Sequence, residues 1–284
     1  MCGLFGWVAS QALNEYQSRQ SIDACFKIMH GRGPDDKGLL VHSRDRGWST
    51  DDDLKGADTV LGHLRLSILD LSPRGHQPMS SADNRYRIAY NGEVYNYKEL
   101  REELELEGHV FESDTDTEVV LQALSHWGLS ALTRFKGMFA IVLHDDVEKK
   151  VYLIRDFFGI KPLFYVKNES GLLGFASELP AIMTLPEVKK KVNPQRLYDY
   201  LLFGDYDSSA ETMIEGVKHI LPGHYIVIDS KTANIIEETC YWKPELGAIE
   251  ELSFSDSAEK LRTQFLDNIR LHLRSDVSLG AALS

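Results

Sequence analysis

Short apolar runs separated by polar breaks fill the first two thirds of the chain, and strand periodicity dominates there. Segments 4–8, 66–71, 87–90, 139–143, 151–154, 163–166 and 172–176 read as strands. Several are nearly unbroken apolar stretches, as expected for strands covered on both faces. Helical patterns interrupt them. Segment 21–30 is one, and 97–107 is another, with Asn96 as cap, Glu99 at the third position and Gly108 as stop. Segment 115–127 follows the same grammar, with Glu118 completing a capping box and Gly128 ending it. A shorter helix is predicted over Pro194–Phe203. Two sheets packed together with helices outside are the architecture this pattern favours.

The pattern changes after about Asp205. Residues 205–211 are polar and loop-like, and 223–238 reads as a hairpin. Residues 253–274 form a long amphipathic helix through Ala258, Leu261, Phe265, Ile269 and Leu273, with Ser253 and Asp256 as a capping box. Residues 277–283 then read as a buried strand. A helix followed by one buried strand cannot close a core. This segment is therefore expected to open a second domain, the chain being a fragment of something longer.

Composition narrows the picture. With 284 residues, 43% hydrophobic and 26% charged, a folded chain with one large core or two adjoining domains is expected. The formal net charge of -12 argues against a nucleic-acid surface, which would cluster Lys and Arg on phosphates. The cysteines, Cys2, Cys25 and Cys240, are widely spaced and form neither a disulfide framework nor a CxxC metal pair. A reducing cytoplasm is the simplest setting. No signal-peptide pattern opens the sequence, and no run of about 18 apolar residues predicts a membrane span.

Cys2 carries the chemistry. A free thiol with a pKa near 8.5 is only about a few per cent ionised at neutral pH, yet its thiolate attacks carbonyls readily. Were Met1 removed, the α-amine of Cys2, with a reference pKa of about 7.7 to 8.0, would lie beside the sulfur and could take its proton. A lone cysteine at this position also fits a small buried residue opening a strand. The glycines at 3 and 6 favour the chemical reading, since Cys-Gly-x-x-Gly suits close approach of backbone to a substrate.

Further motifs follow in one order. They are MCGLFGW at the start, RGPDD at 32–36, GHLRLSILDL at 62–71, YNGEVYNYKELR at 90–101 and SDTDTE at 113–118. On these the chain resembles class II glutamine amidotransferases. FKGMFAIVLHD at 135–145, RDFFGIKPLFY at 155–165 and FASELPAI at 175–182 narrow the resemblance to the asparagine synthetase branch. It extends over essentially the whole sequence, with one departure: Gly31 stands where the family usually has His before the arginine.

The resemblance implies an α+β fold, a four-layer αββα N-terminal-nucleophile hydrolase sandwich, over residues 2–205. A connecting hairpin region over 206–252 and the truncated start of an α/β ATP-pyrophosphatase domain over 253–284 follow. It makes Cys2 the nucleophile. Arg65 matches the arginine that binds the α-carboxylate of glutamine, a task suited to a bidentate guanidinium. Leu66, Ser67, Ile68 and Leu69 are expected to add backbone contacts. Asn91 and Gly92 match an oxyanion hole, although Asn-Gly between apolar segments is also a strong hairpin signal. Glu93 and Asp116 match the positions that hold the α-ammonium and amide end, and Asp116 also suits the first turn of a helix. RGPDD is read as mainly structural.

The implied reaction hydrolyses L-glutamine to glutamate and ammonia, with no metal or cofactor. In the full enzyme ammonia would amidate a carboxylate, aspartate first among candidates. ATP and Mg would bind in the missing synthetase domain, whose phosphate loop would start at Leu283 and Ser284. A homodimer is left open, as are another carboxylate acceptor, a sugar-phosphate or purine-pathway relative, and a silent regulatory domain.

Overall fold

Three separate apolar clusters divide the protein into four layers. The computed structural model describes residues 1–50, 53–185, 188–245, 247 and 251–280. The first half runs β1 (Gly3–Ala9), α1 (Glu15–Met29), β2 (Asp36–Ser43), β3 (Gly47–Ser49), β4 (Ala57–Arg65), β5 (Met79–Ser80), β6 (Tyr86–Val94), α2 (Tyr97–Leu106) and α3 (Asp116–Trp127). The second half runs β7 (Gly137–Asp145), β8 (Lys150–Arg155), β9 (Phe164–Lys167), β10 (Leu172–Ala176), α4 (Leu179–Ile182), α5 (Pro194–Phe203), β11 (Val217–His219), β12 (His224–Asp229), β13 (Asn234–Cys240) and α6 (Phe254–His272). Among the described residues the strands form two antiparallel sheets, ordered β11-β9-β10-β1-β4-β2-β3 and β13-β12-β8-β7-β6-β5.

β1 shows how the layers arise. All its residues are buried, and strand alternation sends them to opposite faces. Phe5, Trp7 and Ala9 pack with Ile22, Cys25 and Met29 of α1. Leu4 and Val8 face the second sheet and meet Ala89, Ala140, Val142 and Leu153. On the far side of that sheet, Ile88, Phe139 and Ile141 pack under Leu100 and Leu104 of α2 and Val119, Val120 and Leu124 of α3. The result is the αββα sandwich expected from the sequence.

Glycines let the sheets close. A Cβ on Gly6 would lie 2.0 Å from the Val60 carbonyl oxygen and 2.7 Å from the Phe175 ring. Gly6 therefore serves strand packing rather than approach to a substrate.

Several expected elements differ. Segment 66–71 is a loop, because β4 already ends at Arg65 and the guanidinium draws the following carbonyls back upon it. β2 and β4, absent from the sequence reading, are the strands that flank this loop's origin. Asn91-Gly92 is not a hairpin turn but the middle of β6, paired with Ala140 and Phe139. α1 begins earlier than predicted, at an Asn14 cap that accepts from the Tyr16 and Gln17 amides. Asn96 does stand at the N-cap position of α2, but its side chain makes no cap bond; it bonds the Arg134 carbonyl and the Lys136 amide, tying α2 to the entry of β7. Thr115 does cap α3, but the Glu118 carboxylate bonds the Glu112 and Ser113 amides rather than that of Thr115.

The sheets also run on beyond Asp205, since β11 pairs with β9 and β12 with β8. The expected strand over 277–283 is not formed in its described part, 277–280, and residues 281–283 lie outside the described residues. No residue of α6 is buried. No helix of the described residues is long and apolar enough to cross a membrane.

Two substitutions test the glycine argument. Gly6→Ala forces a backbone shift and should cost about 2–3 kcal/mol in urea unfolding. Gly31→Ala has open space and should stay within about 0.5 kcal/mol of the parent. Equal midpoints for the two would contradict the packing described.

Candidate active site

The start of β1, the loop after β4, the end of β6 and the start of α3 converge on one cleft. It includes Cys2, Arg65, Leu66, Asn91, Glu93, Asp116 and Lys161 in its lining. Ile68, Leu69 and Gly92 also line it, so the structure brings nearly all the expected residues together. Ser67 is absent from the wall; its amide instead donates to the Asp35 carboxylate at 2.8 Å. Leu283 and Ser284 lie outside the described residues.

Cys2 is held from two directions. Its carbonyl accepts from Arg32 Nε at 2.9 Å, and Arg32 Nη1 pairs with Glu178 at 3.0 Å. The Leu66 amide donates to Cys2 Sγ at 3.4 Å. RGPDD is thus structural in a specific sense: Arg32 fixes the Cys2 backbone, and Asp35 fixes the loop that faces it. Burial pushes the Cys2 thiol up, while the Leu66 amide, the N-terminal amine and Lys161 pull it back. Burial lowers the pKa of the Met1 amine. An amine at this end of the cleft therefore releases its proton more readily than in water.

Arg65 is buried at 6% exposure. Its Nη1 donates to the Ser72 carbonyl at 2.9 Å, and its Nη2 to those of Leu69 and Asp70 at 3.1 and 2.5 Å. A guanidinium has five N–H donors, so these bonds leave capacity for an anion in the cleft.

β6 supplies the next wall. The Tyr90 amide donates to Gln77 Oε1 at 2.7 Å and the Val94 amide to Asp116 Oδ2 at 3.0 Å. Both leave the strand on the edge away from β7. By antiparallel alternation the Gly92 N–H leaves on that same edge, between them. Gly92 has no room for a side chain, since a Cβ would lie 2.5 Å from the Met138 carbonyl oxygen. Asn91 is 1% exposed, and neither its Oδ1 nor its Nδ2 has a hydrogen-bond partner. Leaving such a buried amide unpaired costs about 1–3 kcal/mol. From the opposite sheet, His63 Nε2 donates to the Tyr90 carbonyl at 3.0 Å and ties β6 to β4. Burial pushes His63 down to about 4, so its imidazole is neutral.

Asp116 accepts from the Tyr90 hydroxyl at 2.7 Å as well as from Val94. Burial pushes its carboxyl up to about 6. Glu93 is raised by burial and drawn back by Lys161. Lys161 itself is lowered by burial and raised by Glu93 and Cys2. Sequence reasoning missed Lys161, Gln77, Tyr90 and Thr117 as lining residues. Lys161 and Tyr90 do lie inside quoted motifs, and a basic residue in the middle of RDFFGIKPLFY was the available signal.

The αββα sandwich, with the Cys2 thiol at the head of an inner strand and the Asn91 amide lining the same cleft, is an amidotransferase type of architecture. The chain belongs to the glutamine amidotransferase domain family, whose model matches residues 1–242. Over its whole length it is 33% identical to a glutamine-hydrolyzing asparagine synthetase 3 of Bacillus subtilis, of which it covers 43%. It is 34% identical to a putative asparagine synthetase of Mycobacterium tuberculosis, covering 44% of that protein. The chain thus spans less than half the length of these relatives. The glutamine phosphoribosylpyrophosphate amidotransferase structure from B. subtilis superposes with a TM-score of 0.60 at 17% identity, over 86% of this chain and 50% of that one. That likeness is one of fold. No group of three or more His, Cys, Asp or Glu among the described residues is arranged to hold a metal.

The burial of Asp116 has a measurable consequence. Its folded carboxyl, at about 6, binds the proton more tightly than the unfolded one at 3.8. The associated stability is present below pH 3.8 and is lost as pH rises through about 6. Wild type should therefore lose up to about 3 kcal/mol relative to Asp116→Asn between pH 3.5 and 7 in urea unfolding. Parallel stability curves would refute this.

Proposed function

We propose that this chain is the glutaminase part of an asparagine-synthetase-type amidotransferase. Its reaction releases ammonia from the side-chain amide of glutamine through Cys2. The observation that carries the reading is Asn91: a buried amide with no partner, lining the same cleft as a thiol and a buried arginine.

On this reading Met1 is removed, and the α-amine of Cys2 takes the thiol proton. The thiolate forms a bond to the amide carbon, and the carbonyl oxygen gains the negative charge. Asn91 Nδ2 and the Gly92 N–H receive that charge, and donors set in place before the charge develops need no reorganisation. The C–N bond then breaks, and the α-ammonium returns its proton to the leaving ammonia. Water attacks the thioester, the C–S bond breaks, and glutamate leaves. Arg65 binds the substrate carboxylate with the donors its loop does not use, and Glu93 and Asp116 hold the α-ammonium. Leu66, Ile68 and Leu69 form the wall along the substrate.

No cofactor enters this step. ATP and Mg would serve a synthetase region that passes the ammonia to an activated carboxylate, aspartate being the acceptor that the relatives' names suggest. Cys2, Cys25 and Cys240 are unpaired, which supports a reducing, cytoplasmic setting.

The test combines mass and labelling. The intact mass should show loss of Met1, and a glutamine-analogue electrophile should label Cys2 alone. Retained Met1 with no label at Cys2 would sink the reading. Asn91→Ala should lower kcat for glutamine hydrolysis about 10²–10³-fold with a smaller change in KM. An undiminished kcat would remove Asn91 from the oxyanion site.

A further inference from the structure

The segment that follows α6 reaches back to the cleft. The Asp276 amide donates to the Ile68 carbonyl at 3.0 Å, and its carboxylate accepts the Asp70 amide at 2.8 Å. These two bonds, opposite in direction, bracket the stretch from Ile68 to Asp70. The grip is braced two and four residues earlier. Arg274 places Nη1 and Nη2 on the Glu99 carboxylate at 2.6 Å each and Nη1 on the Tyr95 carbonyl at 2.6 Å. The His272 ring lies against Tyr95, with centroids 4.0 Å apart. The start of α2 thus presents Asp276 to the loop.

The gripped stretch is one that needs holding. Asp70 has φ of 48°, in the left-handed region that a non-glycine residue keeps only when its surroundings impose it. Its carboxylate accepts from the Ser72 amide and the Asp114 amide at 3.0 Å each, and Asp276 takes its remaining amide. From this loop the Leu69 and Asp70 carbonyls hold Arg65, and the Leu66 amide reaches the Cys2 sulfur. No α6 residue is buried, so the clamp comes from outside the sandwich core.

We propose that Asp276 is a positioning residue for the glutamine cleft, holding loop 66–72 in its binding-competent form through the Asp70 and Ile68 backbone. It does not touch the thiol, and it meets the lining of the cleft only through the Ile68 carbonyl. The kinetic part rests on the glutaminase reading; the hold on the loop does not. With Asp276 removed, the competent loop becomes a fraction of the population, and apparent affinity falls by that fraction while the bound complex reacts as before.

The experiment compares the full chain with Asp276→Ala and Asp276→Asn, by amide hydrogen exchange over 66–72 and by glutamine hydrolysis. In Asp276→Ala the Asp70 amide should exchange about tenfold faster or more, with KM for glutamine raised about tenfold and kcat within about twofold. Asp276→Asn keeps an oxygen acceptor and should match the parent in both. Parental exchange and KM in Asp276→Ala would overturn the inference, as would a loss of kcat without a change in KM. Equal effects of Ala and Asn would overturn it too. A parent that hydrolyses glutamine beside an unaltered Asp276→Ala removes this inference alone. A parent without turnover or Cys2 labelling removes the glutaminase reading, and loop exchange still decides the clamp.

Discussion

The cleft depends on one cation, the guanidinium of Arg65. It ends β4 by gathering the carbonyls of Leu69, Asp70 and Ser72 around itself, and so turns an apolar segment into a wall. Gly75 makes this closure feasible, because a Cβ there would lie 1.9 Å from Arg65 Nη2. Once the loop is folded back, the Leu66 amide faces the Cys2 sulfur, and the Asp70 carboxylate caps the approach to α3 through the Asp114 amide. Hydrogen bonds to a charged donor are about twice as strong as neutral ones, and several on one buried group fix a loop that has little core of its own.

The electrostatics of the cleft follow from burial more than from pairing. Asp116, Glu93, Lys161 and Cys2 are each shifted first by loss of water and only then by one another. Burial favours the neutral thiol and the neutral amine together. Lys161 and the Leu66 amide draw the thiol partly back toward its ordinary value.

Much of the scaffold was legible in the sequence, for plain physical reasons. Segments such as 139–143 and 151–154 are continuous apolar runs because both of their faces are covered, and they were read as strands. Pro194–Phe203 and the Thr115 cap announced their helices by residue type. Segment 66–71 was misread because its alternation of apolar and polar residues reflects a cleft wall and a loop folded on a cation, and a local pattern cannot separate these from a strand. Asn96 was rightly placed at the helix start, but its side chain has a second use, because the chain entering β7 passes near.

By itself the sequence determined most of the strands and helices and, through its resemblance, the set of residues that meet in the cleft. Apolar periodicity is local, and motif order lies along the chain. The tertiary structure alone decided that Asn91 is buried without a partner, that Lys161 and Gln77 share the wall, and that Asp276 meets Asp70 across 206 positions. Those facts depend on which backbone edges the sandwich leaves free where its two sheets meet. No residue carries that information until β4 and β6 lie side by side.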